Sequence, residues 1–424
     1  MGSARGTVPR QALGLARRGL LAGLAITGAI VVFFLFSGHP KWQLLWAFGL
    51  LFGYILQRGR FCFASAFRDL FLMGESRVMR GVLAGMAVAT PLFTVAMVLL
   101  HPTPLPGRYP PEVNVLPLGP HTFLAGVLFA LGMTLAGGCI SGTLYRIGEG
   151  YTASLVALLG VFIGFVLLAF TWGFWWQTSV AYAPLVWFPQ PLGYTGGMLL
   201  TLGLLGLALL GLLWWEHRHR TPRGGVWAVP SEGEGGQGTP PTLGGQVRTL
   251  LGAVFLRPWP VVVAGAALGF LNGVLLLLHR PWGVTGPLYG WMEAVWGRLG
   301  VFLVPLPPLM GLDQFGGACN PALAAPRVFG LAHNDMVVLG VVAGSFTAAA
   351  IAGEFKVRVP RQRRRYLQSL VGGVLMGYGA ALALGCTLGA FFSAIPSLAL
   401  NGWLFAFGLL GGSFLGARIL RKLG

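Results

Sequence analysis

From Tyr151 to Trp215, and again from Tyr366 to Ala417, the chain contains no Asp, Glu, Lys or Arg. Each run is long enough for two membrane-crossing helices of ~20 residues. A soluble domain carries roughly 25% charged residues and has no room for such stretches. Here 9% of all residues are charged and 55% are hydrophobic. The sequence therefore encodes an all-α, polytopic membrane protein, with the lipid bilayer as its surroundings. Its formal net charge of +18 does not point to nucleic acid. The arginines cluster beside the apolar runs, which is the charge bias of cytoplasmic loops, where anionic lipid adds to the attraction.

The segment Leu131-Gly132-Met133-Thr134-Leu135-Ala136-Gly137-Gly138-Cys139-Ile140-Ser141-Gly142 has a copy further on, Tyr378 to Gly389. Residues 126–142 align without a gap on 373–389, an offset of 386 − 139 = 247. Nine of those seventeen positions agree: Gly126, Val127, Leu128, Gly132, Leu135, Ala136, Gly138, Cys139 and Gly142. Each copy is an apolar helix that runs into a glycine and then a cysteine. Glycine weakens a helix by ~1 kcal/mol and lets the backbone turn or approach a neighbour closely. Matched breaks in two halves of a hydrophobic chain are a pointer to a transport site near the bilayer midplane.

Read in order, residues 1–41 comprise a basic amino-terminal segment and a first apolar span, Leu20 to Phe36. No Ala-x-Ala cleavage site follows it, so it reads as an uncleaved helix that starts in the cytoplasm. The first membrane repeat is 42–215. Within it Phe61 to Leu72 is too short and too polar to cross, and reads as a re-entrant or interfacial piece. Arg68 and Asp69 read as an ion pair at the cytoplasmic rim, and Arg58 and Arg60 either as anion attractors or as topology markers. Trp172, Trp175, Trp176 and Trp187 read as an aromatic belt. Residues 216–257 form a cytoplasmic linker rich in Gly, Pro and polar residues, and 258–424 form the second repeat. Residues 288–335 resist assignment. Counting spans from a cytoplasmic start places the linker, the basic loop 356–365 and the carboxy terminus inside, where the arginines are. In that count Thr122–Gly137 runs inward and its copy Ser369–Gly385 outward. The expected architecture is thus an inverted-repeat helical bundle with broken and re-entrant helices in the inner membrane, both termini cytoplasmic.

Cys62, Cys139, Cys319 and Cys386 are the only cysteines, and no CxxC or Cys/His spacing suggests a metal. A buried cysteine is ordinarily a small hydrophobe, but repetition singles out Cys139 and Cys386 with Gly138 and Gly385 before them. A broken helix offers free backbone N–H groups and the positive end of a dipole, which suits an anion. Thiols add weak S–H donors and a polarizable surface. No lysine or arginine lies within either Gly-Cys segment, so a strongly hydrated anion such as sulfate would lose its water for little return. An anion carrying a sulfur atom fits better. No cofactor motif is present. The run Gly316 to Ala322 contains Asn320-Pro321, read as a helix cap and first turn.

Several elements together resemble the YeeE/YedE membrane proteins. They are Phe61-Cys62 with Arg68-Asp69, Gly132 to Glu149 with its Tyr-Arg-x-Gly-Glu-Gly end, Arg280-Pro281-Trp282-Gly283-Val284-Thr285-Gly286, Gly353-Glu354-Phe355-Lys356, and Gly372 to Phe391. The likeness covers both halves, roughly Trp42–Trp215 and Pro258–Arg418. It implies thiosulfate uptake, or in some members a role tied to selenium. It also implies an hourglass-shaped path along which thiosulfate is handed between thiols by S–H···S hydrogen bonds. Carried over by motif, the relay positions are Cys62, Cys139 and Cys386; Cys319 has no clear match. A small cytoplasmic sulfur-carrier protein is the partner the resemblance suggests. Two other readings compete: transport of a selenium oxyanion or another small sulfur compound, and a membrane thiol redox enzyme or sensor. Against the latter, no histidine stands near the cysteines in sequence to serve as a base.

Overall fold

The computed structural model describes residues 10–35, 38–105, 107–219, 257–299, 305–317 and 331–423. Cys319, Asn320 and most of the expected linker lie outside them. The described chain is helical: α1 Arg10–Leu35, α2 Pro40–Arg58, α3 Phe63–Leu72, α4 Arg77–Leu100, α5 Pro120–Ala136, α6 Ile140–Gly148, α7 Thr152–Trp175, α8 Pro189–His219, α9 Val261–Leu278, α10 Thr285–Leu299, α11 Asp335–Ile351, α12 Arg364–Leu382 and α13 Leu400–Leu423. Among the described residues six helical stretches are long and apolar enough to cross a membrane. A seventh is counted if α12 and the π-helical turn Thr387–Ser393, bent by 51° from it, form one broken span. The chain is a multi-pass membrane protein.

The helices meet through glycines, because without a hydrophobic drive between them in lipid, close van der Waals packing must hold them. A Cβ on Gly49 of α2 would lie 2.6 Å from Val337 O of α11, and one on Gly85 of α4 would lie 2.5 Å from Gly265 O of α9. Gly160 and Gly164 of α7 sit against Gly373 and Gly377 of α12, and Gly126 of α5 against Phe405 and Gly408 of α13. The pairings are reciprocal. The opening helix of each half (α2, α9) packs on the third element of the other (α11, α4), and the helix after each break (α7, α13) packs on the broken helix of the other half. The two broken helices, α5 and α12, also pack on each other. There Gly372 meets Gly132 and Ala136, whereas Gly379 meets Ala125 and Phe129, so α5 and α12 run antiparallel. The spacing of the copies persists past the breaks: α7 begins at 152 and α13 at 400, a separation of 400 − 152 = 248, one residue from that of the cysteines.

Gly85 shows what this packing demands. Besides Gly265 O, a Cβ there would meet two Phe392 ring carbons at 2.9 Å. Gly85→Leu is expected to destabilise the fold by about 1–3 kcal/mol or more through overpacking. A lowered midpoint in detergent thermal denaturation checks this; an unchanged midpoint contradicts it.

Some elements differ from expectation. α10 occupies part of the stretch that resisted assignment. α8 continues to His219, into the segment read as linker, where Glu216 accepts from Ser76 Oγ at 2.7 Å and lies 3.8 Å from Arg80. Trp172 and Trp187 are core residues, not a belt, because burial of each indole N–H is matched by a carbonyl. Trp172 donates to Met310 O at 3.1 Å and Trp187 to Ser397 O at 3.0 Å.

Candidate functional site

Three cysteines stand at helix starts. Cys62 precedes α3, Cys139 precedes α6, and Cys386 precedes the turn Thr387–Ser393. All three are buried, Cys139 and Cys386 completely. The residue before each Gly-Cys pair has the same unusual backbone. Gly137 ends α5 in the left-handed region at φ 78, and its counterpart Leu384, 384 − 137 = 247 residues on, has φ 52. Glycine takes that conformation freely, while for leucine it costs ~1–2 kcal/mol. The second break thus holds backbone strain of the kind found where function over-determines geometry.

The break in the first half brings two thiols together. Cys62 and Cys139 direct their sulfurs to the same residue, Gly142. The Cys139 sulfur also accepts from Gly142 N at 3.3 Å and lies 3.3 Å from Ser141 Oγ. Gly142 leaves the space that both sulfurs border, since a Cβ there would lie 3.3 Å from each. In the second half the corresponding partner is a hydroxyl: Cys386 N donates to Thr285 Oγ1 at 3.1 Å, at the start of α10. Aromatic contacts join the two breaks. Phe63, next to Cys62, packs edge-on against Phe392 with ring centroids 5.2 Å apart, and Phe67 against Phe391 at 5.5 Å.

Irregular backbone at membrane depth survives only where its polar groups are satisfied by protein, and buried side chains do this here. Asn272, in the middle of apolar α9, accepts from Trp282 N at 2.7 Å and donates to Ser393 Oγ at 3.0 Å. Asn114 donates to Gly389 O at 3.1 Å. Trp282 itself is stacked on Phe52, 3.9 Å between centroids and 5° between planes. Of these, Thr285 and Trp282 lay within a stretch singled out from sequence. Asn272 was missed, though a lone amide within Val261–Leu278 is itself a signal.

The arginines take three roles. Arg58, 1% exposed, is bound to Glu354 at 2.9 Å and to Gln57 Oε1 at 2.7 Å, and Arg60 lies 3.5 Å from Glu354. These two therefore belong to a clasp between α2 and the end of α11, not to an anion path. Arg358 completes it, donating to Glu354 O at 3.0 Å and Glu149 O at 3.1 Å. Arg68 and Asp69 form the ion pair read from sequence, at 2.8 Å. Arg146 instead turns back to the break and donates to Gly137 O. Among the described residues no cluster of His, Cys, Asp and Glu is arranged to hold a metal ion.

The family model described as "Sulphur transport" matches residues 58–415. The chain is 31% identical over 385 residues to a thiosulfate transporter, TsuA, of Spirochaeta thermophila, covering 88% of this chain and 97% of that protein. It is 27% identical over 387 residues to the thiosulfate transporter TsuA of Escherichia coli K12, covering 86% and 90%. A probable transporter, YedE, of Salmonella typhimurium is 33% identical over 204 residues, 48% of each chain.

Proposed function

The chain belongs to the sulphur-transport family, and from that premise we propose that it is a permease for thiosulfate, taken up through a cysteine-lined path between two inverted halves. The family and its relatives are transporters of sulfur anions, which removes the redox-enzyme reading. The observation that carries the proposal is the placement of Cys62, Cys139 and Cys386, each sequestered from lipid at a helix break or helix start. Thiosulfate presents a soft terminal sulfur and three hydrated oxygens. Cys62 and Cys139 offer S–H donors to the former, while backbone N–H groups at the starts of α3 and α6 meet the latter. The chain turns at Gly137 and Leu384, while Gly138 and Gly385 admit close neighbours, a Cβ there lying 3.3 Å from Arg146 Nη1 and 2.8 Å from Ala390 N. No embedded carboxylate is needed to carry the anion, in keeping with the cost of full charge at membrane depth.

The selenium reading keeps the same path and changes the cargo. Competition separates the two: uptake of labelled thiosulfate into proteoliposomes is expected to be blocked by unlabelled thiosulfate and not by sulfate or selenite. Equal inhibition by all three would overturn thiosulfate selectivity. In this reading the linker end, the 356–365 loop and both termini face the cytoplasm of a cell with the protein in its inner membrane. There a sulfur-carrier protein would receive the product.

A further inference from the structure

We propose that Arg146 and Arg365 form an oxyanion-release seat at the foot of α5 that receives the anion as it leaves Cys62 and Cys139. The inference rests on the permease reading and adds to it a second site of different chemistry. A Cβ at Gly137 would lie 2.7 Å from Arg365 Nη2 and 3.8 Å from Arg146 Nη1, so two guanidiniums converge on one point, two residues from Cys139. At Gly138 the same construction places Arg146 Nη1 at 3.3 Å. Arg68 lies within electrostatic range of Arg365.

The charges here do not cancel. Arg68 is paired with Asp69. Arg146 donates to Gly137 O, and Arg365 to Gln368 Oε1 at 3.3 Å, both neutral acceptors. Glu149 is within electrostatic range of Arg146 but is also shared with Arg358 and Gln57. Helix capping accounts for part of the arrangement, because a cation at the carboxy end of α5 is favourable. It does not account for two, because the end of α5 carries about half a charge and both guanidiniums reach it, Arg365 from the first turn of α12. Two half-buried guanidiniums held around one point are the elements of a site for a multiply charged oxyanion. The thiols match the sulfur end of thiosulfate, and the guanidiniums match its oxygens. Passage from the pair to this seat therefore exchanges a soft contact for a charged one and draws the anion out of the neutral path.

The test uses the intact protein in right-side-out and inside-out membrane vesicles, with labelled thiosulfate as probe and Arg365→Gln and Arg365→Lys as variants. Arg365→Gln is expected to raise the half-saturating concentration roughly tenfold at the face where α5 ends, since a hydrogen bond to a charged group is lost. At the opposite face it should leave that concentration unchanged, and Arg365→Lys should recover most of the loss. No change at either face, or an equal rise at both, would overturn the seat. If the unsubstituted protein carries no thiosulfate in either vesicle, the permease reading falls instead.

Discussion

Cys139→Ala is expected to lower thiosulfate uptake in proteoliposomes about tenfold or more. The estimate follows from removing one hydrogen bond to a charged ligand, worth ~1.5–3 kcal/mol, when each 1.36 kcal/mol is a factor of ten in rate. Cys139 is chosen over Cys62 and Cys386 because its sulfur contacts Ser141 Oγ and Gly142 N and borders the same space as the Cys62 sulfur. Alanine gives up the thiol and with it the cap on Gly142 N, whereas serine keeps a capping oxygen, so the two variants together separate capping from the thiol. Cys139→Ser restores a donor of similar size but a harder one, and is expected to stay well below the unsubstituted rate. Uptake by Cys139→Ser equal to that of the native protein would show that hydrogen bonding alone, without the polarizable sulfur, suffices. Uptake by Cys139→Ala at the native rate would remove the thiol from the path.

Glu354→Ala is expected to destabilise the protein by about 3 kcal/mol, the low end of the range for breaking a buried pair. The low end applies because Glu354 is itself 33% exposed, whereas Arg58 is 1% exposed. The lost carboxylate takes from Arg58 its anionic partner at 2.9 Å, and releases Gln57 Nε2, which donates to Glu354 at 2.8 Å. The expected readout is a lowered thermal midpoint in detergent and reduced yield of monodisperse protein. The double variant Glu354→Ala/Arg58→Met should recover much of the loss, because replacing a buried ion pair by apolar groups is often neutral. A single variant as stable as the native protein would show that the clasp holds nothing.

The sequence disclosed the spans because lipid demands long charge-free runs, and Tyr151 to Trp215 and Tyr366 to Ala417 meet that demand. It disclosed the breaks because Gly138-Cys139 and Gly385-Cys386 repeat in register. It did not disclose α10, since Thr285–Leu299 mixes Gly, Pro, Glu and Arg with three aromatics and is shorter than a span. Nor did it reveal that the Cys62 and Cys139 sulfurs both border Gly142, because that placement depends on how α3 folds back under α5. The role of Arg58 was equally hidden: its partner Glu354 lies far along the chain, and an arginine after an apolar helix reads the same whether it marks topology, attracts anions or is buried in a pair. The glycine stripes Gly49/Gly53, Gly81/Gly85, Gly265/Gly269, Gly340/Gly344 and Gly373/Gly377 were visible signals of helix pairing that composition alone passes over.

The central claim is that thiosulfate passes between thiols contributed by both halves. A cryo-electron microscopy map of the protein in lipid nanodiscs with saturating thiosulfate tests it most directly. The account predicts elongated density with its sulfur end against Cys62 and Cys139, or against Cys386 beyond Thr285. Density seated elsewhere, with all three thiols out of contact with it, would contradict the account.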